Sequence, residues 1–149
     1  MAHWLFKSEP SVFSFEKLVG EGAKGTDWSG VRNHSAKLNM MAMKVGERGF
    51  FYHSNEGKAI VGVVEVCALY RPDPSDPKGQ FGMVDIRAVE ALPKPVTLET
   101  AKTDPRLASM ALVTNSRLSV QPVTDEEWAV VLALGGLAQR GAKRAKAPA

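Results

Sequence analysis

The sequence predicts an α+β fold, with a small, curved sheet or barrel of five or six strands and three or four short helices. Runs rich in aromatic and β-branched residues at 4–7, 50–54, 59–69 and 81–89 are typical of strands. Segments with capping residues lie between some of these runs and indicate short helices. Strands and helices do not alternate regularly, so the pattern does not favour a parallel β-α-β sheet.

The N-terminal segment predicts a strand followed by a helix. The strand is expected over 4–7, and Pro10 ends it by disfavouring helical angles in the residue before it. Ser14 is a candidate N-cap for a short helix. Phe13 and Leu18 are spaced as a hydrophobic staple around that cap.

A second helix is predicted after Asn33. This asparagine can cap the helix, and Ala36, Met40 and Met43 recur at i, i+4 and i+7 to form one apolar face.

The middle of the chain predicts a hairpin, a loop and a further strand. The hairpin joins 48–54 to 59–69. Three prolines make 71–79 a surface loop, and strand character returns at 81–89. The proline pair within 92–95 is expected to end that strand.

The C-terminal third predicts two further helices and an edge strand. Thr97 can cap a short helix, and 107–113 is ambiguous between helix and strand. The run 117–123 is expected at a sheet edge, because Pro122 cannot donate to a ladder. A capping box begins at Thr124 and precedes an apolar helix.

Length and composition indicate one globular domain. A chain of 149 residues with 44% hydrophobic and 23% charged residues can bury a sizeable core. No apolar run is long enough to cross a membrane, and the first residues do not resemble a secretion signal. The single cysteine, Cys67, excludes an intramolecular disulfide and is expected to be a buried, inert thiol. We therefore expect a reducing, cytoplasmic compartment and no membrane partner.

The positive charge is concentrated at the C-terminus. The net charge is +3, but the residues after Leu137 carry four basic side chains and no acidic one. We therefore predict a folded domain over 1–136 and a disordered basic tail over 137–149, which can attract phosphates without sequence preference. The rest of the chain is close to neutral and is not expected to bind polyanions generally.

Motifs for metal, cofactor or catalytic chemistry are not found. The three histidines lie far apart and have no cysteine at a metal-ligand spacing. The sequence contains neither GxGxxG nor GxxxxGK[ST], and it contains no GxSxG elbow. We therefore expect no metal, no cofactor and no catalytic residue.

The segment 26–33 is the candidate binding site, because it places an indole, a carboxylate, a hydroxyl, a guanidinium and an amide within eight residues. An exposed indole face can stack on a nucleobase, which contributes about 1–3 kcal/mol per base. The candidate groups are Trp28 for stacking, Ser8, Ser29, Asn33 and the backbone at Gly30 for the base edge, and Lys7 and Arg32 for a phosphate.

A structural interpretation of the same segment remains open at this point. Trp28 can be a partly buried core residue, and Arg32 can form an ion pair with Asp27 or Glu9. Further along the chain, Arg117 and Gln121 are weaker candidates for contact with a phosphate.

Seven segments of the chain closely resemble the EVE domain family, which belongs to the PUA-like superfamily and is related to YTH domains. The segments span most of the chain before the basic tail. They are WLFKSEP at 4–10, TDWSGVRN at 26–33, MKVGE at 43–47, FFYHS at 50–54, GVVEV at 62–66, RLSVQPV at 117–123 and EEW at 126–128.

The resemblance implies a PUA-like β-barrel with flanking helices and a pocket for a modified base. Trp28 and Ser29 look like the Trp-Ser pair of YTH pockets, and the turn at Lys7 and Ser8 resembles the facing wall. A second aromatic is expected in such a pocket, with Tyr52 and Trp4 as candidates. By the same comparison, the residues expected to line or support the pocket are Tyr52, His53 and Ser54.

The function implied by the resemblance is a non-catalytic reader of a modified base in a nucleic acid, with modified cytosine in DNA favoured. Two alternatives remain open. One is an RNA-binding PUA-like module that acts on tRNA or rRNA. The other is a small enzyme or binder of free modified nucleotides.

Overall fold

The computed structural model describes residues 2–137. In this part of the chain, six strands, numbered in chain order, form one mixed sheet with the spatial order β2-β5-β4-β3-β1-β6. The predicted tail at 137–149 lies outside the described residues, apart from Leu137. Strands β1 and β3 are parallel, and the other neighbours are antiparallel. The strands are β1 (His3–Ser8), β2 (Thr26–Asp27), β3 (Arg48–His53), β4 (Ala59–Pro72), β5 (Gly82–Thr97) and β6 (Val120–Val123).

Five short α-helices and two 3-10 turns connect these strands. The 3-10 turns span Gly22–Lys24 and Pro105–Leu107. The second turn and α4 occupy the region that the sequence left ambiguous. The helices are α1 (Phe15–Gly20), α2 (His34–Ala42), α3 (Leu98–Thr103), α4 (Ala111–Thr114) and α5 (Asp125–Leu134). None of the helices in the described part has the length and hydropathy of a transmembrane segment.

The four predicted N-caps are confirmed. The side chains of Ser14, Asn33 and Thr97 each accept a backbone N–H from the first turn of α1, α2 and α3. Thr124 forms a complete capping box with Glu127 at the start of α5. These bonds satisfy N–H groups that have no partner within a helix.

The α+β class is confirmed, and the six-stranded sheet is open and not closed into the barrel that the resemblance implies. Strands β2 and β6 are the two edges, and no ladder joins them within residues 2–137. Helix α2 packs against β4, β5 and β6, with Ala36 and Met40 buried. The Asn39 side-chain amide donates to the carbonyl oxygen of Val120 over 2.7 Å. The helix therefore packs along one edge strand of the sheet and donates a hydrogen bond to its backbone.

The predicted break at 92–95 is wrong, because β5 continues through both prolines. Ile60 pairs with Val96 and Gly62 pairs with Ala91, so the register shifts across this segment. Pro93 and Pro95 lie inside the resulting bulge, where a missing N–H removes no regular ladder bond.

Two hydrophobic cores lie on opposite faces of the sheet. Phe6 and Phe51 belong to the first core, with α1, α2 and Trp28. Their neighbours Leu5 and Phe50 belong to the second core, with α3, α4 and α5. This division follows from the two-residue period of a strand.

Cys67 is only partly buried, so the expectation of a fully buried thiol is wrong. Its sulfur donates to the carbonyl oxygen of Lys24 over 3.8 Å. Partial burial raises the pKa of this thiol.

Substitution of Gly62 by alanine should destabilise the fold, because a Cβ at this position would lie 2.3 Å from Cζ of Phe15. Overpacking of this kind is expected to lower the free energy of unfolding by about 1–3 kcal/mol. Gly20→Ala is the matched control, since a Cβ at Gly20 meets no atom within 4 Å. Urea denaturation measures both variants, and equal stability of the two would contradict the packing argument.

Candidate functional site

A cavity of about 490 Å³ lies on the side of the sheet where β2 and β6 are not joined. A volume of this size is within the usual range of ligand pockets. Its walls come from the end of β1, the turn before α1, strand β2, the loop between β2 and α2, and the residue before β6. The lining residues are Lys7, Ser8, Val12, Phe13, Thr26, Asp27, Trp28, Ser29, Gly30, Val31, Arg32 and Ser119.

Trp28 forms a fixed wall of this cavity. Its ring packs edge-to-face against Phe6 and Phe51, with both pairs of ring centroids 5.7 Å apart. Only 9% of the residue is exposed, and it belongs to the first core. The core interpretation and the pocket interpretation of Trp28 therefore apply together. The core fixes the orientation of the indole before any ligand enters.

Phe13 is the second aromatic of the cavity, in place of the expected Tyr52 or Trp4. Its ring lies 6.2 Å from the Trp28 ring at an interplanar angle of 77°. Tyr52 belongs to the second core, on the opposite face of the sheet. Trp4 is buried, and its indole N–H donates to Oε1 of Glu47 over 2.9 Å.

The loop that follows Trp28 is fixed by a buried carboxylate, Asp73. Oδ2 of Asp73 accepts the backbone N–H of Gly30 over 2.7 Å and Nη1 of Arg32 over 3.3 Å. Oδ1 accepts the backbone N–H and the hydroxyl of Ser75. Gly30 has a φ of +83°, which glycine adopts without strain. The partner of Arg32 is therefore Asp73, and not the expected Asp27 or Glu9.

The Asp73 carboxyl is strongly biased toward its charged form. Burial alone would raise its pKa, but the hydrogen bonds from Ser75, Gly30 and Arg32 lower the pKa to about 2. Hydrogen bonds from four donors thus offset the energetic cost of burying this charged side chain, which has no solvent exposure.

Arg32 of the cavity wall, together with His34 and Lys37, surrounds the ring of Phe81, which is not in the cavity lining. The guanidinium carbon of Arg32 lies 5.7 Å from the Phe81 ring centroid, and Nζ of Lys37 lies 5.8 Å from it. The His34 ring is 5.0 Å from Phe81. The carboxylate of nearby Asp76 accepts three backbone N–H groups of its own loop and also interacts electrostatically with Arg32. We call Arg32, His34 and Lys37 the basic rim.

The structure brings six of the predicted site residues to the cavity wall: Lys7, Ser8, Trp28, Ser29, Gly30 and Arg32. The hydroxyl of Ser8 donates to the carbonyl oxygen of Phe13 over 2.7 Å and fixes the facing turn. The Lys7 ammonium donates a hydrogen bond to the carbonyl oxygen of Ser116. The same ammonium lies 5.8 Å from the centroid of the Tyr52 ring. Burial lowers the pKa of this ammonium group.

Four other predicted residues do not line the cavity. Asn33 caps α2, and Tyr52 lies in the second core. Nε2 of His53 accepts the backbone N–H of Phe15 over 3.1 Å, and partial burial lowers the pKa of the imidazole. The backbone N–H of Ser54 donates to the carbonyl oxygen of Ser8.

The two weaker phosphate candidates differ in accessibility. Gln121 has no exposed surface, and its Nε2 donates to the carbonyl oxygens of Asn115 and Leu118, so it cannot reach a phosphate. Arg117 is exposed and lies two residues before Ser119, which lines the cavity.

Sequence reasoning missed part of the wall and the residue behind it. The wall residues Val12, Phe13 and Ser119 lie outside the predicted segment 26–33, and neither they nor Asp73 were predicted as part of the site. Phe13 was interpreted only as packing around the Ser14 cap. No local signal indicates that its turn faces the loop at Trp28.

Metal-binding geometry is not found in the described part of the chain, where no three histidine, cysteine or carboxylate side chains are grouped.

A family model for the EVE domain matches residues 2–134. The chain belongs to the EVE domain family. Human thymocyte nuclear protein 1 is 34% identical over 165 residues, which cover 89% of this chain and 73% of the human protein.

Solved structures of EVE relatives share this architecture. A crystal structure of a protein from Agrobacterium tumefaciens has 53% identity and a TM-score of 0.90, covering 93% of this chain and 95% of that one. A structure of human thymocyte nuclear protein 1 in complex with 5-methylcytosine-containing DNA has 35% identity and a TM-score of 0.83, and the match covers 91% of this chain and 98% of that chain. An ASCH protein from Zymomonas mobilis, at 14% identity and a TM-score of 0.59, shares the fold alone.

Substitution of Asp73 by asparagine should destabilise this EVE domain around its cavity. An amide offers one acceptor oxygen and turns its NH2 group toward a donor, so we expect a loss of about 2 kcal/mol at pH 7. Because the folded-state pKa is about 2, below the ordinary 3.8, the charged side chain stabilises the fold above about pH 4. That contribution disappears as the pH falls through 2.

Urea denaturation between pH 7 and pH 2 measures this effect. The difference between wild type and Asp73→Asn should shrink toward the acidic end. Glu99→Gln, at an exposed carboxylate on α3, is the control and should change little. A difference for Asp73→Asn that stays constant with pH would contradict the assignment.

Proposed function

We propose that this EVE domain is a non-catalytic reader that captures a modified base of a nucleic acid, with modified cytosine in DNA favoured. The observation that carries the proposal is a cavity whose wall includes Trp28, Phe13, several hydroxyl-bearing residues and Arg32, which belongs to the basic rim. These are the groups that a flipped nucleotide requires.

Stacking is the first requirement, because a base taken out of a duplex loses its neighbours at a cost of a few kcal/mol. Trp28 and Phe13 present two aromatic rings at nearly right angles. Such a corner can contact both the face and an edge of one planar base. The apolar side chain of Val31 extends this wall and suits a methyl substituent.

Recognition of the base edge is the second requirement. The hydroxyl groups of Thr26, Ser29 and Ser119 lie in the lining and can each donate or accept a hydrogen bond. Ser29 is exposed, and no hydrogen bond of its hydroxyl is found among the described residues. It is therefore the most accessible of these groups for a ligand.

The comparison with thymocyte nuclear protein 1 supports DNA as the nucleic acid. That protein has been crystallised with 5-methylcytosine-containing DNA, and it aligns with this chain over most of its length. The same relationship supports binding rather than catalysis. We propose the same ligand class for this chain on the strength of the family relationship and the cavity together.

Phe13→Ala should abolish discrimination between modified and unmodified bases. Phe13 is only half-buried, so its removal opens the cavity without removing a core residue such as Trp28. The measurement is fluorescence anisotropy at fixed salt, with DNA and RNA that carry cytosine, 5-methylcytosine, 5-hydroxymethylcytosine or N6-methyladenine. We expect one modified DNA to bind at least about tenfold tighter than its unmodified twin, or about 1.4 kcal/mol.

The outcomes separate the three candidate functions. Leu69→Ala, at a residue 57% exposed on β4, is the control and should retain the preference. A preference for RNA would favour the RNA-binding module. Equal binding of all oligonucleotides would contradict the reader, and binding or turnover of free modified nucleosides would then favour the third candidate.

Lys37→Gln should reduce the salt dependence of DNA binding. The Lys37 ammonium lies at the basic rim, and no carboxylate pairs with it among the described residues. Loss of one phosphate contact should reduce the slope of log K against log salt concentration by about 0.9 for duplex DNA. Lys102→Gln is the control, because Lys102 lies on α3, which packs on the opposite face of the sheet in the second core. An unchanged slope for Lys37→Gln would show that no phosphate contacts the rim.

A further inference from the structure

Val12 stands out among the exposed apolar side chains of the described residues. It is 69% exposed, and the other large exposed side chains are Val19, Leu38, Met41, Val45 and Leu69, at 53–64%. None of those five lines the cavity, but Val12 does. Val12 therefore lines the pocket and leaves most of its apolar surface open to solvent.

The turn that carries Val12 is fixed from several sides. The backbone N–H groups of Val12 and Phe13 both donate to the carbonyl oxygen of Glu9 over 2.9 Å. Oε1 of Glu9 accepts the side-chain amide of Asn55 over 2.7 Å, and the Ser8 hydroxyl donates to Phe13. The Phe13 ring packs on Trp28. Val12 therefore projects from a braced backbone and not from a free loop.

We propose that Val12 is a wedge that enters the base stack of a duplex and occupies the space left by the extruded base. The inference rests on the proposed function, because it assumes that the cavity takes up a base. It extends that function to the opening step, which a pocket for single strands does not need. Apolar side chains inserted between base steps offset part of the unstacking energy, and valine presents a compact apolar surface of this type.

The basic rim complements this role. Arg32, His34 and Lys37 lie beside the cavity around Phe81, where they can hold the phosphates of the strand whose base is extruded. A wedge requires such an anchor, because insertion without a fixed backbone would displace the duplex from the pocket. Val12 and Arg32 both line the cavity, so the wedge and one member of the anchor border the same pocket.

The test compares duplex and single-stranded forms of one oligonucleotide that carries 5-methylcytosine. Wild type, Val12→Ser, Val12→Ile and Leu38→Ser are measured by anisotropy at fixed salt on three probes. The probes are the single strand, the matched duplex, and the duplex with the modified base opposite a mismatch. Val12 and Leu38 are both exposed, so neither serine variant should fail to fold.

Val12→Ser should weaken binding to the matched duplex by about tenfold and leave binding to the single strand within about twofold of wild type. The loss of affinity for the mismatched duplex should fall between these two values, because a mismatched base is less costly to extrude. Val12→Ile should bind like wild type, since it keeps the apolar wedge. Leu38→Ser should bind all three probes like wild type.

Two results would overturn the wedge. One is that Val12→Ser loses the same affinity for the single strand as for the matched duplex, which would make Val12 a wall of the pocket. The other is a wild type that binds the single strand but not the duplex. Failure of the proposed function is measured separately, as equal affinity of wild type for modified and unmodified probes.

Discussion

The buried carboxylate of Asp73 is the interaction on which the site depends. It lies in the loop between β4 and β5, yet its hydrogen bonds fix the separate loop between β2 and α2 at Gly30 and Arg32. A buried charge without partners is strongly unfavourable, so these two loops keep one relative position. The position of the guanidinium at the cavity mouth therefore follows from a residue that never touches the cavity.

The open side of the sheet explains why a cavity exists at this place. In a closed barrel, ladder hydrogen bonds and side chains would fill the space between β2 and β6. Here β2 has two residues and β6 has four, and α2, with Ala36 and Met40 buried, packs against β4, β5 and β6. The remaining space is lined by Trp28 and by the turn before α1. The departure from the expected barrel is thus also the origin of the site.

Local signals predicted much of this fold, and long-range contacts account for what was missed. The caps at Ser14, Asn33 and Thr124 were predictable because each bond joins residues three positions apart. The continuation of β5 through its prolines was not, since the bulge is defined only by pairing with β4. The bond from Gly30 to Asp73 spans 43 residues, and the loop containing Asp73 shows only a proline-rich surface pattern in the sequence. The same limit applies to Phe13, whose neighbour Trp28 is reached only through the tertiary fold.

The two aromatic walls of the cavity differ in how far they can adjust, and this difference bears on selectivity. Trp28 is packed by Phe6 and Phe51 inside the first core, where a shift of the indole would leave voids. Phe13 is half-buried on a turn, so its ring has solvent on one side. In the proposed reader, a base of any kind can stack on the fixed indole, because every base has a flat face. Under that proposal, discrimination between bases that differ by one substituent comes from the Phe13 side of the cavity and from the hydroxyl groups of its wall.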